Sequence, residues 1–106
     1  MKIYLAGPMF ETSDSEAKNW REAFKRFFGE KKCLDPMRRD YRGDLDANIN
    51  EIICMDKRDI QMSDVVVVNC LRPSVGTSME MYYAWTLGIP IVAILHPPRV
   101  RASPWL

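Results

Sequence analysis

An excess of charge of either sign is missing from this sequence: 15 Lys and Arg face 14 Asp and Glu, for a formal net charge of +1 at pH 7. Such a chain projects no broad field toward a nucleic-acid polymer or an anionic membrane, so any anion it binds must be held locally. Cysteine is scarce. Cys33, Cys54 and Cys70 are odd in number and show neither C-x-x-C nor Cys/His spacing, which argues against a disulfide framework and a zinc site and fits a reducing cytoplasm. Long apolar runs are also lacking. The longest, around IPIVAIL, falls far short of a membrane span, and the opening MKIYLAGP is interrupted too soon for a signal peptide. The expectation is a soluble, cytoplasmic protein with no membrane partner. There is no internal repeat, low-complexity tract or linker, and 106 residues suffice for one domain, residues 1–106, with a modest core. A hydrophobic fraction of 47% and a charged fraction of 27% are ordinary for such a domain.

What is present alternates strand and helix. Residues 2–6, KIYLA, form a short apolar strand ending at Gly7-Pro8. Ser13-Asp14-Ser15-Glu16 has capping-box spacing and precedes Ala17, Trp20, Ala23, Phe24, Phe27 and Phe28 at helical period, with a stop at Gly29. Residues 32–34 suggest a short strand, followed by the arginine-rich loop DPMRRDYRGD. A second helix is expected from Asn48 to about Gln61, with Ile49, Ile52, Ile53 and Ile60 on one stripe and Asp56 among them. DVVVVNC, residues 64–70, is a continuous β-branched run, as in a central parallel strand covered on both faces. A third helix is expected over Thr77 to Leu87, closed by Gly88, and IPIVAIL supplies the last strand, with no closing helix after it. The fold class expected is a doubly wound, flavodoxin- or Rossmann-like α/β domain with a parallel sheet of about 4–5 strands and helices on both faces. Its ligands bind outside the carboxyl ends of the strands, where the loops after Ala6, Cys70 and Leu95 share a rim.

Two acids stand out along that rim. Thr77-Ser78-Met79-Glu80 matches T-x-x-E, and read alone it makes Glu80 a capping glutamate. Yet Glu80 shares a face with Tyr83, Ala84 and Leu87, and Asp56 makes the same departure on its own apolar stripe. A carboxylate on such a stripe is costly unless paired or functional. Paired carboxylates in a partly apolar cleft suit glycosyl transfer, one attacking the anomeric carbon while the other handles protons. The structural alternative for Asp56 is a salt bridge with Lys57, Arg58 or a loop arginine. Asp59 falls off the stripe, and Asp64 reads as a cap on the turn into the strand. Ser74-Val75-Gly76-Thr77-Ser78 is small and hydroxyl-rich, so its N–H groups could receive an anion at the helix N-terminus, although an ordinary turn reads the same way. His96 and the pair Arg99 and Arg101 carry no distinct signal.

In order along the chain, IYLAGPMF, Asp56 eight residues before Asp64-Val-Val-Val-Val, PSVGTSME and GIPIVAI resemble the nucleoside 2-deoxyribosyltransferase superfamily. The resemblance makes Glu80 the nucleophile that attacks C1′ to form a covalent glycosyl-enzyme, and Asp56 its partner in proton transfer or sugar orientation. It places Tyr4 beside the nucleophile, Gly7 at the start of the loop over the nucleotide, and Met9 and Phe10 against the base. One position departs from the deoxyribosyltransferases proper. Six residues before Glu80, where they carry an aspartate for the free 5′-hydroxyl, stands Ser74. A carboxylate would repel a 5′-phosphate, whereas a hydroxyl donates to it. P-S-x-G-x-x-x-E is similar instead to the 2′-deoxynucleoside 5′-monophosphate N-hydrolases and cytidylate N-glycosidases. That branch implies a homodimer in which Ser103 reaches the neighbouring subunit's phosphate, although a plain C-terminal turn explains Ser103 as well.

The expected activity is therefore hydrolysis of a nucleoside 5′-monophosphate to free base and a pentose 5-phosphate, with no metal or organic cofactor. Phosphate would rest on Ser74, the amides of Gly76 to Ser78 and an arginine among Arg38, Arg39 and Arg42, and water would resolve the intermediate. The alternatives are base exchange on unphosphorylated deoxynucleosides and a nucleotide-binding module without turnover.

Overall fold

The computed structural model describes residues 1–40, 42–44, 46–96 and 103–106. Its elements follow in the order β1 (Ile3–Ala6), α1 (Asp14–Phe28), β2 (Cys33–Leu34), α2 (Ile49–Met62), β3 (Val65–Cys70), α3 (Val75–Thr86) and β4 (Ile91–Leu95). The strands form a four-stranded sheet in the order β2-β1-β3-β4, and every pairing is parallel. The expected doubly wound α/β fold is thus present, and β1 and β3 share its centre. Ile3 pairs with Val65 and Ala6 with Val68, so β1 and β3 end together at the rim where the strand order switches direction.

The pleat divides the core between two faces. Ile3, Leu5, Cys33 and Val67 point toward α1 and pack with Trp20 and Phe24. Tyr4, Ala6, Val66 and Val68 point the other way, onto Ile60 of α2 and Ala84 of α3. Buried on both faces, the β-branched run of β3 behaves as a parallel strand should.

Three helix readings need correction. In α1, Ala23 and Phe27 face solvent, and the inward stripe is Ala17, Trp20, Arg21 and Phe24. Ser13 does cap α1, its hydroxyl accepting from the Glu16 N–H, but the Glu16 carboxylate completes no capping box and pairs instead with Arg72 at 2.6 Å. In α2, Ile49 and Ile53 are exposed, whereas Asp59, expected off the stripe, is buried at 4% exposure. The helix turns this face inward because Asp59 has cations waiting for it, Arg38 at 2.8 Å and Arg39 at 2.7 Å. In α3 the first helical residue is Val75, two residues before the expected start, and Ser74 rather than Thr77 is the N-cap. Its far end agrees with expectation. Gly88 adopts φ 72°, and the amides of Gly88 and Ile89 donate to Trp85 and Ala84, closing the helix in a Schellman motif. Asp64 accepts from the Lys2 N–H at 2.6 Å, tying β3 to the start of β1.

Candidate active site

The earlier start of α3 decides what Glu80 does. With Ser74 as N-cap, its hydroxyl accepting from the Thr77 N–H at 3.3 Å, Glu80 lies almost two turns into the helix, and a capping role at its N-terminus is out of reach. The carboxylate turns toward the sheet and accepts a hydrogen bond from the Tyr4 hydroxyl. Tyr4 is fully buried in β1, so a rigid strand holds the donor. Burial pushes the Glu80 carboxyl up to about 8; the Asp56 charge adds to the rise, while the Tyr4 hydrogen bond and the Arg21 charge oppose it. Tyr4 itself is raised well above its ordinary value, by burial first and then by the charges of Glu80 and Asp56.

Asp56 enters the same cleft from α2. Burial raises its carboxyl to about 6, opposed chiefly by Arg39, whose guanidinium stands 3.6 Å away. The loop-arginine alternative is therefore present, but Arg39 makes its close contact with Asp59 and leaves Asp56 only loosely paired. Asp59 thus screens Arg39 from Asp56 and keeps the latter protonatable near neutrality. Two carboxyls with raised proton affinity thus share one cleft, an arrangement suited to acid–base or nucleophilic chemistry.

The cleft encloses ≈ 170 Å³ and is walled by three loops and two helices. Gly7, Met9 and Phe10 come from the loop after β1, Pro36 and Arg39 from the segment after β2, and Ser74, Gly76 and Thr77 from the start of α3. Asp56 and Glu80 converge between these walls. A more open hollow of ≈ 580 Å³, lined by Glu11, Thr12, Asp40 and Gly43, adjoins the cleft through the shared Phe10 and Arg42. It holds neither of the two raised carboxyls, which both line the smaller cleft. Gly7 is required by close approach: a Cβ there would lie 2.7 Å from the Trp20 ring. Arg72 latches the rim, pairing with Glu16 and donating to the Glu11 carbonyl across the loop after β1.

Of the residues singled out in the sequence, Tyr4, Gly7, Met9, Phe10, Asp56, Ser74, Gly76 and Glu80 gather here. Ser78 and Ser103 do not line the cleft. The Ser78 hydroxyl donates back to the Ser74 carbonyl, and exposed Ser103 accepts from the Trp105 N–H in a turn. Arg39 and Arg42 line the cleft and Arg38 does not; Arg38 and Arg39 both pair with Asp59, and Arg42 with Asp14 and Asp40. His96 pairs with Asn69, which lies on the α1 face of the sheet, and Arg99 and Arg101 lie outside the described residues.

Sequence reasoning passed over Arg21 and took Thr77 only as a helix cap and a backbone amide, not for its side chain in the cleft. Arg21 is fully buried, its guanidinium spread under the end of β1. The available signal was its place four residues after Ala17, on the inner stripe. Thr77 is 5% exposed, and its hydroxyl is among the few buried polar atoms without a partner in the described residues. Among these residues no group of three or more His, Cys, Asp or Glu is placed to hold a metal, and all three cysteines are free thiols. No described helix is long and apolar enough to cross a membrane.

The protein is of the doubly wound α/β class, with an acid pair at the switch point where such folds bind small ligands. The family described as nucleoside 2-deoxyribosyltransferase matches residues 3–101, and the chain belongs to that family, whose chemistry is glycosyl transfer at an N-glycosidic bond. A search among curated proteins found no match.

Proposed function

We propose that this member hydrolyses the N-glycosidic bond of nucleoside 5′-monophosphates. The observation that carries the reading is the run Ser74, Gly76, Thr77 and Glu80 along one helix, with its N-terminus in the cleft and the acid about 9 Å further along the axis; of the amides of Gly76 to Ser78, those of Thr77 and Ser78 already donate to Ser74. The 5′-phosphate rests on the N-terminus of α3, where the Ser74 hydroxyl, already accepting from Thr77, keeps its own proton to donate. That anchor supplies binding energy for orientation at C1′. Glu80, ionised and steadied by Tyr4, attacks C1′ and forms the glycosyl ester as the C1′–N bond breaks. Protonated Asp56 gives its proton to the departing base, then takes one from the water that cleaves the ester and releases Glu80. Neither step calls for a metal or organic cofactor.

The free thiol of exposed Cys54 suits a reducing cytoplasm. A second copy of the chain completes the site. Val75, Met79 and Tyr82 stand 84%, 66% and 57% exposed on α3, and Ile49 and Ile53 of α2 are exposed too; these apolar residues support a homodimer, and Ser103 is proposed to reach the partner's phosphate across it.

The test is a panel of ribo- and deoxynucleoside 5′-monophosphates, each beside its unphosphorylated nucleoside, with Glu80→Ala as control and free base followed by chromatography. Release from monophosphates alone, lost in the control and shifted toward free nucleosides by Ser74→Asp, is expected. Release only when a second free base is added to a deoxynucleoside would replace hydrolysis by base exchange. Binding without any release would refute turnover. Sedimentation of the parent and of Tyr82→Glu tests the dimer; identical monomeric mass for both would exclude it.

A further inference from the structure

We infer that Arg21 is a positioning residue of this site, a buried guanidinium that locks the loops after β1 and β2 into one frame and sets a positive charge behind Glu80 and Tyr4. The inference deepens the functional reading above and takes from it the role of Glu80 as nucleophile.

The geometry comes first. Arg21 is 0% exposed and donates from Nη2 to the Gly7 carbonyl at 3.0 Å, from Nε to the Leu5 carbonyl at 3.3 Å and from Nη1 to the Ala17 carbonyl. The first two bonds fix the end of β1 and the residue that opens the cleft loop. The guanidinium also lies 4.7 Å over the Trp20 ring, the ring that packs against Gly7. The same Nε stands 3.5 Å from Asp35. Asp35 in turn accepts from the Met37 N–H at 2.8 Å, capping the turn that carries Pro36 into the cleft wall. One side chain thereby joins two of the three loops that shape the site, from beneath.

An apolar side chain would fill this volume without the cost of burying a cation. What an apolar residue lacks is charge. Asp35 is shared with Lys25, which lies closer at 2.8 Å, so Arg21 is incompletely neutralised by its own ion pair. Tyr4 from β1 donates to Glu80, and of the charges that act on its carboxyl, Asp56 from α2 raises its proton affinity while Arg21, from the α1 side of the sheet, lowers it. Asp35 stands against Arg21, with Lys25 beyond it, and the charges of Glu80, Tyr4 and Asp56 act on Arg21 as well; Asp56 in turn feels Arg39, Asp59 and Arg38. The field of Arg21 favours the carboxylate of Glu80, against the burial and the Asp56 charge that disfavour it.

The experiment titrates Glu80 directly, by carbon-13 NMR of glutamate-labelled protein with the resonance assigned through Glu80→Gln, in the parent, Arg21→Lys and Arg21→Met. Loss of the charge in Arg21→Met moves the Glu80 midpoint up by roughly half a unit to one unit. Arg21→Lys keeps the charge, leaves the midpoint near that of the parent and, having lost the forked bonds to Leu5 and Gly7, raises KM for the monophosphate several-fold. Should Arg21→Met fail to fold, Asp35→Asn replaces it: removal of the competing carboxylate strengthens the Arg21 field and moves the midpoint down. A midpoint unmoved by these changes, or moved equally by the lysine and methionine variants, would overturn the inference. The titration needs no turnover, so absence of base release from the parent would sink the hydrolase reading separately.

Discussion

Removal of the Tyr4 hydroxyl probes the site most sharply. The mechanism proposed above needs Glu80 ionised and Asp56 protonated, yet burial pushes Glu80 up to about 8 and Asp56 to about 6, the reverse of the order those tasks ask for. Between those two values the working form is a constant minority of roughly 1%, because each gain in ionised Glu80 is matched by a loss of protonated Asp56. The profile of kcat/KM is then flat-topped, with limbs near 6 and 8. In Tyr4→Phe, Glu80 loses a hydrogen bond to its charged form, worth about 1.5–3 kcal/mol, or roughly one to two pH units. The plateau falls by roughly tenfold to a hundredfold, the basic limb moves up by the same interval, and the acidic limb stays in place. Initial rates of base release measured from about pH 5 to about pH 10 read all three quantities. A loss of equal size at every pH, with both limbs unmoved, would make Tyr4 a packing residue only. A profile that climbs through pH 8 and never falls would show Asp56 working as its anion.

The same burial has a cost in stability. Glu80 takes its proton at about 8 in the fold against 4.5 for an ordinary glutamate, so its contribution is fully present below about 4.5 and is lost as pH rises through about 8. Glu80→Gln removes that dependence: its melting temperature exceeds the parent's at about pH 9 and matches it at about pH 4, and a parent that is the more stable at the higher pH would contradict the account. Gly7→Ala drives a Cβ toward the Trp20 ring and destabilises by about 1–3 kcal/mol in urea unfolding, and an unchanged midpoint would mean that the ring yields freely. Thr77→Val replaces an unpartnered buried hydroxyl by a methyl and is expected to raise stability by about 1 kcal/mol, with a loss of that size counting against the orphaned hydroxyl.

The order of elements, the parallel sheet and the pair Glu80 and Asp56 were legible in the chain because each is announced locally, by a β-branched run, by turn residues or by an acid interrupting an apolar period. Where two local signals competed, the sequence could not arbitrate. Ser74 and Thr77 both qualify as N-caps by residue type, and only the path of the chain leaving β3 selects Ser74, which frees Glu80 from any capping role. Asp59 looked idle because its partners, Arg38 and Arg39, lie about twenty residues earlier and reach it only after β2 has paired with β1.

What the sequence determined by itself is the inventory: which segments are strands and helices, which faces of the sheet are covered, and that two carboxyls sit where apolar residues are usual. Tertiary structure alone decided what those carboxyls became. Their raised proton affinities come first from burial between α2, α3 and β1, with neighbouring carboxylates adding to the rise and Tyr4, Arg21 and Arg39 opposing it. Arg21 makes the division plain, since a long cation on a helix stripe reads as a surface residue until the carbonyls of Leu5 and Gly7 and the carboxylate of Asp35 close around it. Periodicity is a property of neighbours in sequence, whereas desolvation and charge pairing depend on neighbours in space.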